Sequence, residues 1–165
     1  MGALLASLVN QGEKYHMRSF VCKIILSGVL ILSMGCGVSE IGIGEKGLRP
    51  CPSSPNCVIS TGGDADHLIA PIPYLGDRET SGERIRRIVS GMDRARIITD
   101  RPDYLHVEIR SRVMKFVDDV EFWFPEKGKM IHVRSAARLG YSDFGVNRAR
   151  IEQIRALYGK GDGSE

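Results

Sequence analysis

The chain has 165 residues, a formal net charge of +3 and an apolar fraction of 42%, values ordinary for one soluble domain. Residues 1–35 contain three of the 23 basic and one of the 20 acidic side chains, so the rest of the chain is close to neutral. A near-neutral domain has no reason to bind nucleic acid, and we predict no such partner.

The first predicted element is an export signal in residues 17–37, MRSFVCKIILSGVLILSMGCG. Arg18 and Lys23 supply its positive segment. The apolar segment at 24–32 is too short to span a bilayer comfortably, as is typical of a signal peptide. We therefore predict that residues 1–35 are a signal peptide.

The end of this segment resembles a bacterial lipoprotein signal, because the small residue Gly35 precedes Cys36. The resemblance implies that Cys36 receives the lipid and becomes the mature N-terminus. Lipoprotein signals usually have leucine where this chain has Ser33, so plain secretory cleavage and an uncleaved anchor stay open as alternatives. An export signal does not need the charged residues that precede Met17. We therefore predict that Met17 is the true start of translation.

The predicted location is the periplasmic face of a membrane, with the N-terminal lipid as the membrane contact. Residues 36–47 are rich in glycine and poor in bulky side chains, which predicts a flexible tether between lipid and domain. Gly37 differs from the aspartate that retains lipoproteins at the inner membrane, and this favours the outer membrane.

An irregular arm is predicted over residues 48–79, which contain five prolines and little periodicity. Its segment CPSSPNC contains Cys51 and Cys57. In an oxidising periplasm such a pair predicts a disulfide. Zinc or copper is the alternative, but two thiolates are half a site and no histidine lies close by in sequence.

After the arm, the sequence predicts a helix, four antiparallel strands and a final helix. Thr80 and Glu83 have capping-box spacing at the start of the first helix. The strands are predicted at about 95–99, from Tyr104, at 116–124 and at 130–138, and the last helix runs from about Asn147 to Gly159. This order implies an α+β fold, an antiparallel meander of about four strands packed with an N-terminal and a C-terminal helix. Residues 48–158 are then a single domain, and 159–165 are a disordered tail.

The third predicted strand, FVDDVEFWF, places a carboxylate on an apolar face. Asp118 is in register with Phe116 and Val120, and an unpaired buried carboxylate is costly. We therefore predict that an arginine from residues 134–155 pairs with Asp118. The opposite face is predicted to be a solvated ladder of ion pairs. Its members are His106, Glu108, Arg110, Arg112, Asp119, Glu121, His132, Arg134 and Arg138.

Arg148 and Arg150 lie in the first turn of the last helix, where the helix dipole disfavours cations. Either carboxylates pair with them, or an anionic ligand binds between the helix start, Arg134 and Arg138. The candidate partner carboxylates are Asp118, Asp119 and Asp143. The candidate ligand-binding residues are Arg134, Arg138, Asp118, Asp119, Glu121, Asp143, Asn147 and Arg148.

Four segments together resemble the domain of unknown function family 1499, found in bacterial envelope proteins and plastid relatives. They are LRPCPSSPNCV at 48–58, PI at 71–72, FVDDVEF at 116–122 and VRSAARLGYSDFGVNRARIEQIR at 133–155. The resemblance covers about 48–158 and implies no particular reaction. Many relatives read RSASR where this chain has Ala137, which argues against a serine nucleophile there.

Two functional hypotheses follow. The first is a non-enzymatic, membrane-tethered envelope module without a cofactor, which binds a partner protein or an anionic small molecule through residues 134–150. The second is an envelope hydrolase or metal-dependent enzyme that uses Asp119, Glu121 and His132 as acid, base or metal groups. The spacing of the histidines does not match a known metal motif, which favours the first hypothesis.

Overall fold

A computed structural model of the chain describes residues 40–160. The predicted signal peptide, the lipidation at Cys36 and residues 161–165 of the predicted tail lie outside the described residues. Within 40–160, every helix is too short or too polar to cross a membrane.

The described elements form a main antiparallel sheet with two helices and a small separate hairpin. In chain order they are β1 (Ile43–Gly44), β2 (Gly47–Leu48), β3 (Cys57–Ile59), β4 (Ile72–Pro73), α1 (Arg78–Ser90), β5 (Ala95–Arg101), β6 (Tyr104–Arg110), β7 (Val117–Trp123), β8 (Met130–Ala137) and α2 (Val146–Gly159). The main sheet has the order β3-β8-β7-β6-β5, β4 also pairs with β8, and β1 pairs with β2. The predicted α+β fold with an antiparallel meander is confirmed. The arm, predicted to be irregular, supplies two further short strands.

The N-cap of helix α1 lies three residues earlier than the capping box indicates. Its N-cap is Asp77, whose carboxylate accepts a hydrogen bond of 2.8 Å from the Thr80 backbone N–H. Aspartate is a stronger cap than threonine, because its charge also interacts favourably with the helix dipole. Thr80 is therefore inside the helix, and Ile85 and Val89 on its buried face are fully enclosed.

The main core lies between the two helices and one face of the sheet. Val120 and Phe122 of β7 point into it with Ile151 and Ile154 of α2, all at 0% exposure. Phe116, predicted to share this face, lies outside β7 and is 44% exposed. The strand therefore begins one residue after the predicted apolar pattern does.

The opposite face of the sheet is buried, so the predicted solvated ladder is wrong at its centre. Leu48 and Ile59 from the arm pack on Tyr104 and Trp123 and form a second small core. Beneath this cover, four residues of the ladder are no more than 2% exposed: His106, Asp119, Glu121 and Arg134. The alternation of the strands cannot reveal this burial, because the covering residues come from a distant part of the chain.

Part of the predicted tether is folded. The hairpin β1–β2 pairs Ile43 with Leu48, and the Gly42 backbone N–H donates to the Glu121 carboxylate at 2.6 Å. Gly47 has φ of +122°, and a Cβ there would lie 2.9 Å from the Trp123 ring. The tether prediction is therefore wrong for residues 41–47, and residues 36–39 lie outside the described residues.

The predicted Cys51–Cys57 disulfide is present. It closes a short loop that leads directly into β3, where Cys57 pairs with Ala136 of β8. The bond therefore attaches the arm to the edge of the main sheet.

Candidate functional site

The sheet separates the predicted binding residues into two groups. Successive side chains of a strand point to opposite faces, so Asp118 faces the helices while Asp119 faces the arm. Asp143 and Asn147 belong to the helix side, and Glu121, Arg134 and Arg138 to the arm side. The predicted anion site between the helix start and Arg134 is therefore wrong, because the sheet stands between them.

Glu121 is the centre of a buried ionic network on the arm side. Its Oε2 accepts from Arg134 Nη1 at 2.7 Å, and both side chains are 0% exposed. Its Oε1 accepts from the Tyr104 hydroxyl at 2.7 Å and from the Gly42 backbone N–H at 2.6 Å. Burial, reinforced by the adjacent Glu121 charge, raises the pKa of Tyr104, so this hydroxyl stays a donor. The carboxylate is fully engaged and has no access to solvent.

Asp119, two residues before Glu121 on the same face of β7, has its own buried ionic contacts beside it. Its Oδ1 lies 2.7 Å from His106 Nε2, and Arg138 donates to both of its oxygens at 2.8 Å. Burial opposes ionisation of Asp119, but the hydrogen bonds from Arg138 and His106 outweigh it and hold the pKa at about 2. Arg138 also pairs with Glu108 at 2.5 Å, and these carboxylates raise its pKa. Asp119 is therefore a permanently ionised structural carboxylate at neutral pH.

The geometry does not assemble the predicted enzyme site. His132 lies 3.3 Å from the Ser60 hydroxyl and stacks on Trp123 with 5.2 Å between ring centroids. Within residues 40–160, its hydrogen bonding does not reach Asp119 or Glu121, and no group of three or more His, Cys, Asp or Glu is arranged to hold a metal ion. Burial lowers the pKa of His132.

Sequence reasoning missed the Ser60–His132 contact, because the two residues are 72 positions apart and no local motif joins them. The Ser60 hydroxyl also accepts a hydrogen bond from the Val133 backbone N–H at 2.8 Å. A nucleophilic serine needs a base that is itself oriented by a third group. This pair has no carboxylate in contact within the described part of the chain, so it has the geometry of a structural contact.

On the helix side, Asp118 pairs with an arginine as predicted, and that arginine is Arg150. Its Nη2 donates to Asp118 at 2.6 Å, and both side chains are 10% exposed. Arg150 Nη1 also donates to the Asn147 side-chain oxygen at 2.7 Å, and Ser135 donates to the same oxygen at 2.5 Å. Burial raises the pKa of Asp118 despite the opposing charge of Arg150. The prediction that an arginine of residues 134–155 pairs with Asp118 is confirmed.

Asp143 offsets the unfavourable charges at the start of α2. Its carboxylate accepts from the backbone N–H groups of Gly145 and Asn147, at 3.0 and 2.8 Å, and so caps the helix from two residues outside it. Arg148 does not join this cluster. It donates to the carbonyl oxygens of Leu68 and Asp66, at 2.9 and 2.7 Å, and holds the arm against α2.

An open groove of about 890 Å³ borders the Asp118–Arg150 pair. Its walls are the end of α1 with the turn that follows it, the end of β6, and one side of α2 from Val146 to Leu157. Arginines and apolar side chains both line it, among them Arg94, Arg110, Arg150, Met92, Ile109 and Leu157. Ser111, just after β6, and Val146, the first residue of α2, also line the groove.

Two loops, residues 111–116 and 139–146, form one exposed end of the sheet, which we call the loop end. Arg110 and Val117 are the last pair of β6 and β7, and the Arg138 backbone N–H donates to the Val117 carbonyl at 3.0 Å. The exposed large apolar side chains of the loop end are Val113 (81%), Met114 (66%), Phe116 (44%), Leu139 (61%), Tyr141 (78%), Phe144 (95%) and Val146 (50%).

The first of these loops is also basic. Arg110, Arg112 and Lys115 are exposed, and residues 110–116 contain no acidic side chain. Reciprocal hydrogen bonds between Ser111 and Phe116, at 2.8 and 2.9 Å, close the loop at its base. Sequence reasoning overlooked this site, although the mixture RSRVMKF between two strands was a usable signal.

The fold and site define a compact α+β domain with a buried ionic network and one exposed apolar and basic end. A family model described as "Protein of unknown function (DUF1499)" matches residues 47–157, and the chain belongs to that family. Neither the curated proteins nor the solved structures contain a match to the chain.

Proposed function

We propose that the protein is a non-enzymatic binding module of the bacterial cell envelope. In this proposal it is exported, carries a lipid on Cys36 at the periplasmic face of a membrane, preferably the outer one, and binds through the loop end. The export and lipid parts rest on the signal-like sequence before Cys36.

One observation carries the binding role: seven large apolar side chains are exposed on the two loops of the loop end, whose bases are joined by the Arg138–Val117 hydrogen bond. Monomeric soluble proteins rarely expose a contiguous patch of this kind unless something binds there. Phe144 is 95% exposed, so the core gains nothing from it. A contact surface accounts for this exposure better than packing does.

The buried network supports a binding role over an enzymatic one. General acid–base catalysis needs a titratable group within hydrogen-bond reach of a substrate. Asp119 and Glu121 are enclosed, ionically paired and covered by the arm. Their arrangement fits stability of the fold, and the exposed chemistry of the loop end fits recognition.

Site-specific photo-crosslinking in living cells tests this function on the full chain. A photoreactive amino acid is placed at Val113 or Phe144 in the loop end, and at Lys127 or Met130 at the other end of the sheet as matched controls. The expected result is a discrete crosslinked product from both loop-end positions and none from the controls. Equal crosslinking from all four positions, or none from any, would contradict the proposal.

The lipid anchor is tested separately by intact mass of the protein extracted from membranes. We expect a mature chain that begins at Cys36 and carries acyl chains, and a Cys36→Ala variant that appears in the soluble periplasm. A mature mass without acyl chains would contradict the lipid anchor. The binding role of the loop end would then be judged by the crosslinking result alone.

A further inference from the structure

We propose that the loop end docks on the anionic lipid surface of the membrane that holds the Cys36 lipid. This inference rests on the proposed function and names its binding partner. The domain would then have two membrane contacts, the lipid at its N-terminus and the loop end.

The composition of the first loop fits a lipid surface. Arg110, Arg112 and Lys115 are exposed in the same seven residues as the exposed Val113, Met114 and Phe116. Phospholipid phosphates attract such cations, and apolar side chains between them can enter the boundary between headgroups and acyl chains. A carboxylate in this loop would be repelled by the phosphates, and residues 110–116 contain none.

The second loop adds the amphipathic side chain that membrane interfaces favour. Tyr141 is 78% exposed between Leu139 and Phe144, and tyrosine is enriched at the headgroup level of membrane proteins. The one carboxylate of this loop, Asp143, accepts hydrogen bonds from two backbone N–H groups and from the Asn147 side chain. Its charge is therefore held inward at the start of α2.

The length of the chain before the domain allows both contacts at once. Six residues separate Cys36 from Gly42, a distance of at most about 20 Å when extended. Gly42 contacts Glu121, which lies four residues, or roughly 13 Å, along β7 from Val117 at the loop end. A domain tethered this closely to a lipid meets the same membrane at a high effective concentration, so even a weak contact is occupied.

The short tether and the charge pattern together favour lipid over a protein partner. A protein interface of this size usually has a polar rim with charges of both signs. The exposed charges of residues 110–116 are all positive, which matches a surface of uniform negative charge. Association should therefore depend strongly on anionic lipid and weaken at high salt.

Vesicle flotation tests the inference with the mature chain from residue 36, which retains every described element. Cys36→Ser removes the lipid anchor, so the loop end is the contact under test. Vesicles of equal parts phosphatidylglycerol and phosphatidylethanolamine are compared with vesicles of phosphatidylcholine. We expect binding to the anionic vesicles, little binding to the neutral ones, and loss of binding in molar salt.

Two pairs of variants locate the contact. Each cation near an anionic membrane contributes about fivefold to partitioning, so Arg112→Gln with Lys115→Gln should weaken binding roughly thirtyfold. The control, Lys127→Gln with Lys129→Gln in the β7–β8 turn, should change it less than about twofold. Met114→Asp should weaken binding about tenfold or more, while Met130→Asp at the other end of the sheet should not. Thermal unfolding of each variant identifies any that fail to fold.

Each outcome decides the inference. Binding that follows the expected lipid, salt and variant pattern supports it. Absence of binding by the folded parent, equal binding to neutral vesicles, or equal loss in the control variants overturns it. If crosslinks from Val113 and Phe144 then join the chain to a protein, the binding function stands and its partner is that protein. If those positions give no crosslink to protein or lipid, the proposed function fails as well.

Discussion

Glu121→Gln is the substitution that most directly tests whether the arm-side network is a buried, charged structure. The change keeps the size of the side chain and one oxygen that can accept from Tyr104 and Gly42. It removes the negative charge that pairs with Arg134, and both charged groups are 0% exposed.

The expected loss is about 3–5 kcal/mol of the free energy of unfolding, because breaking a buried pair leaves the Arg134 charge without its Glu121 counter-charge. Domains of this size have about 5–15 kcal/mol in total, so the variant should be near the limit of folding. The same substitution at an exposed pair should be much milder. Glu152, 53% exposed and paired with Arg155, provides that control, and Glu152→Gln should cost less than about 1 kcal/mol.

Urea unfolding of the oxidised mature chain measures this loss. Trp123 is the only tryptophan of the chain and packs in the second core, so its fluorescence reports the arm-side face directly. Adding Arg134→Met to Glu121→Gln should cost less than the sum of the two single losses, with a coupling energy of roughly 2 kcal/mol. Losses below about 1 kcal/mol for Glu121→Gln, with no coupling, would refute the buried network and restore the solvated ladder.

Three further predictions concern the remaining polar contacts. The pKa of Asp119 is about 2 in the folded protein against an ordinary 3.8, so its ionisation adds roughly 2 kcal/mol to the free energy of unfolding above pH 4. This contribution is lost as the pH falls towards 2. Asp119→Asn should therefore flatten this part of the curve of unfolding free energy against pH. Replacing both Cys51 and Cys57 by Ala should cost about 2 kcal/mol in urea unfolding, because the disulfide closes only a short loop. Arg150→Ala should lower the free energy of unfolding by at least about 2 kcal/mol, because it leaves the buried Asp118 carboxylate without its ion pair. Arg148→Ala removes only hydrogen bonds to backbone carbonyls and should cost about 1 kcal/mol. Equal shifts in the thermal unfolding temperature of the two variants would contradict this order.

The helices and the long strands could be predicted from the sequence, because local periodicity determines them. The period of two in β5 to β8 and the helical periods of α1 and α2 indicated these elements, and each formed with its ends within about three residues of the predicted ones. Asp118 was predictable for the same reason. It interrupts an apolar face, and a buried carboxylate at such a position is costly unless a partner such as an arginine pairs with it.

The arm could not be predicted in the same way, because its contacts are long-range. β3 is three residues long and pairs along its whole length with β8, about 75 positions later. The backbone contact from Gly42 to Glu121 crosses 79 residues. No pattern within the glycine-rich segment distinguishes a tether from a hairpin that covers a charged face. The polar alternation of β6 and β7 therefore suggested solvent where the fold has a second interior.

The arm also contacts the second loop of the loop end directly. Asn56, beside the disulfide, donates to the Gly140 carbonyl at 2.6 Å and accepts from the Asn147 side chain at 3.2 Å. The arm thus contacts the backbone of the second loop and the start of α2. The apolar side chains of that loop stay exposed. A loop anchored at its base loses little conformational entropy when its tips make contact, so in the proposed binding mode the oxidised, folded arm would lower the entropic cost of contact. Weaker vesicle binding by the reduced protein than by the oxidised protein, with the core still folded, would show this coupling directly.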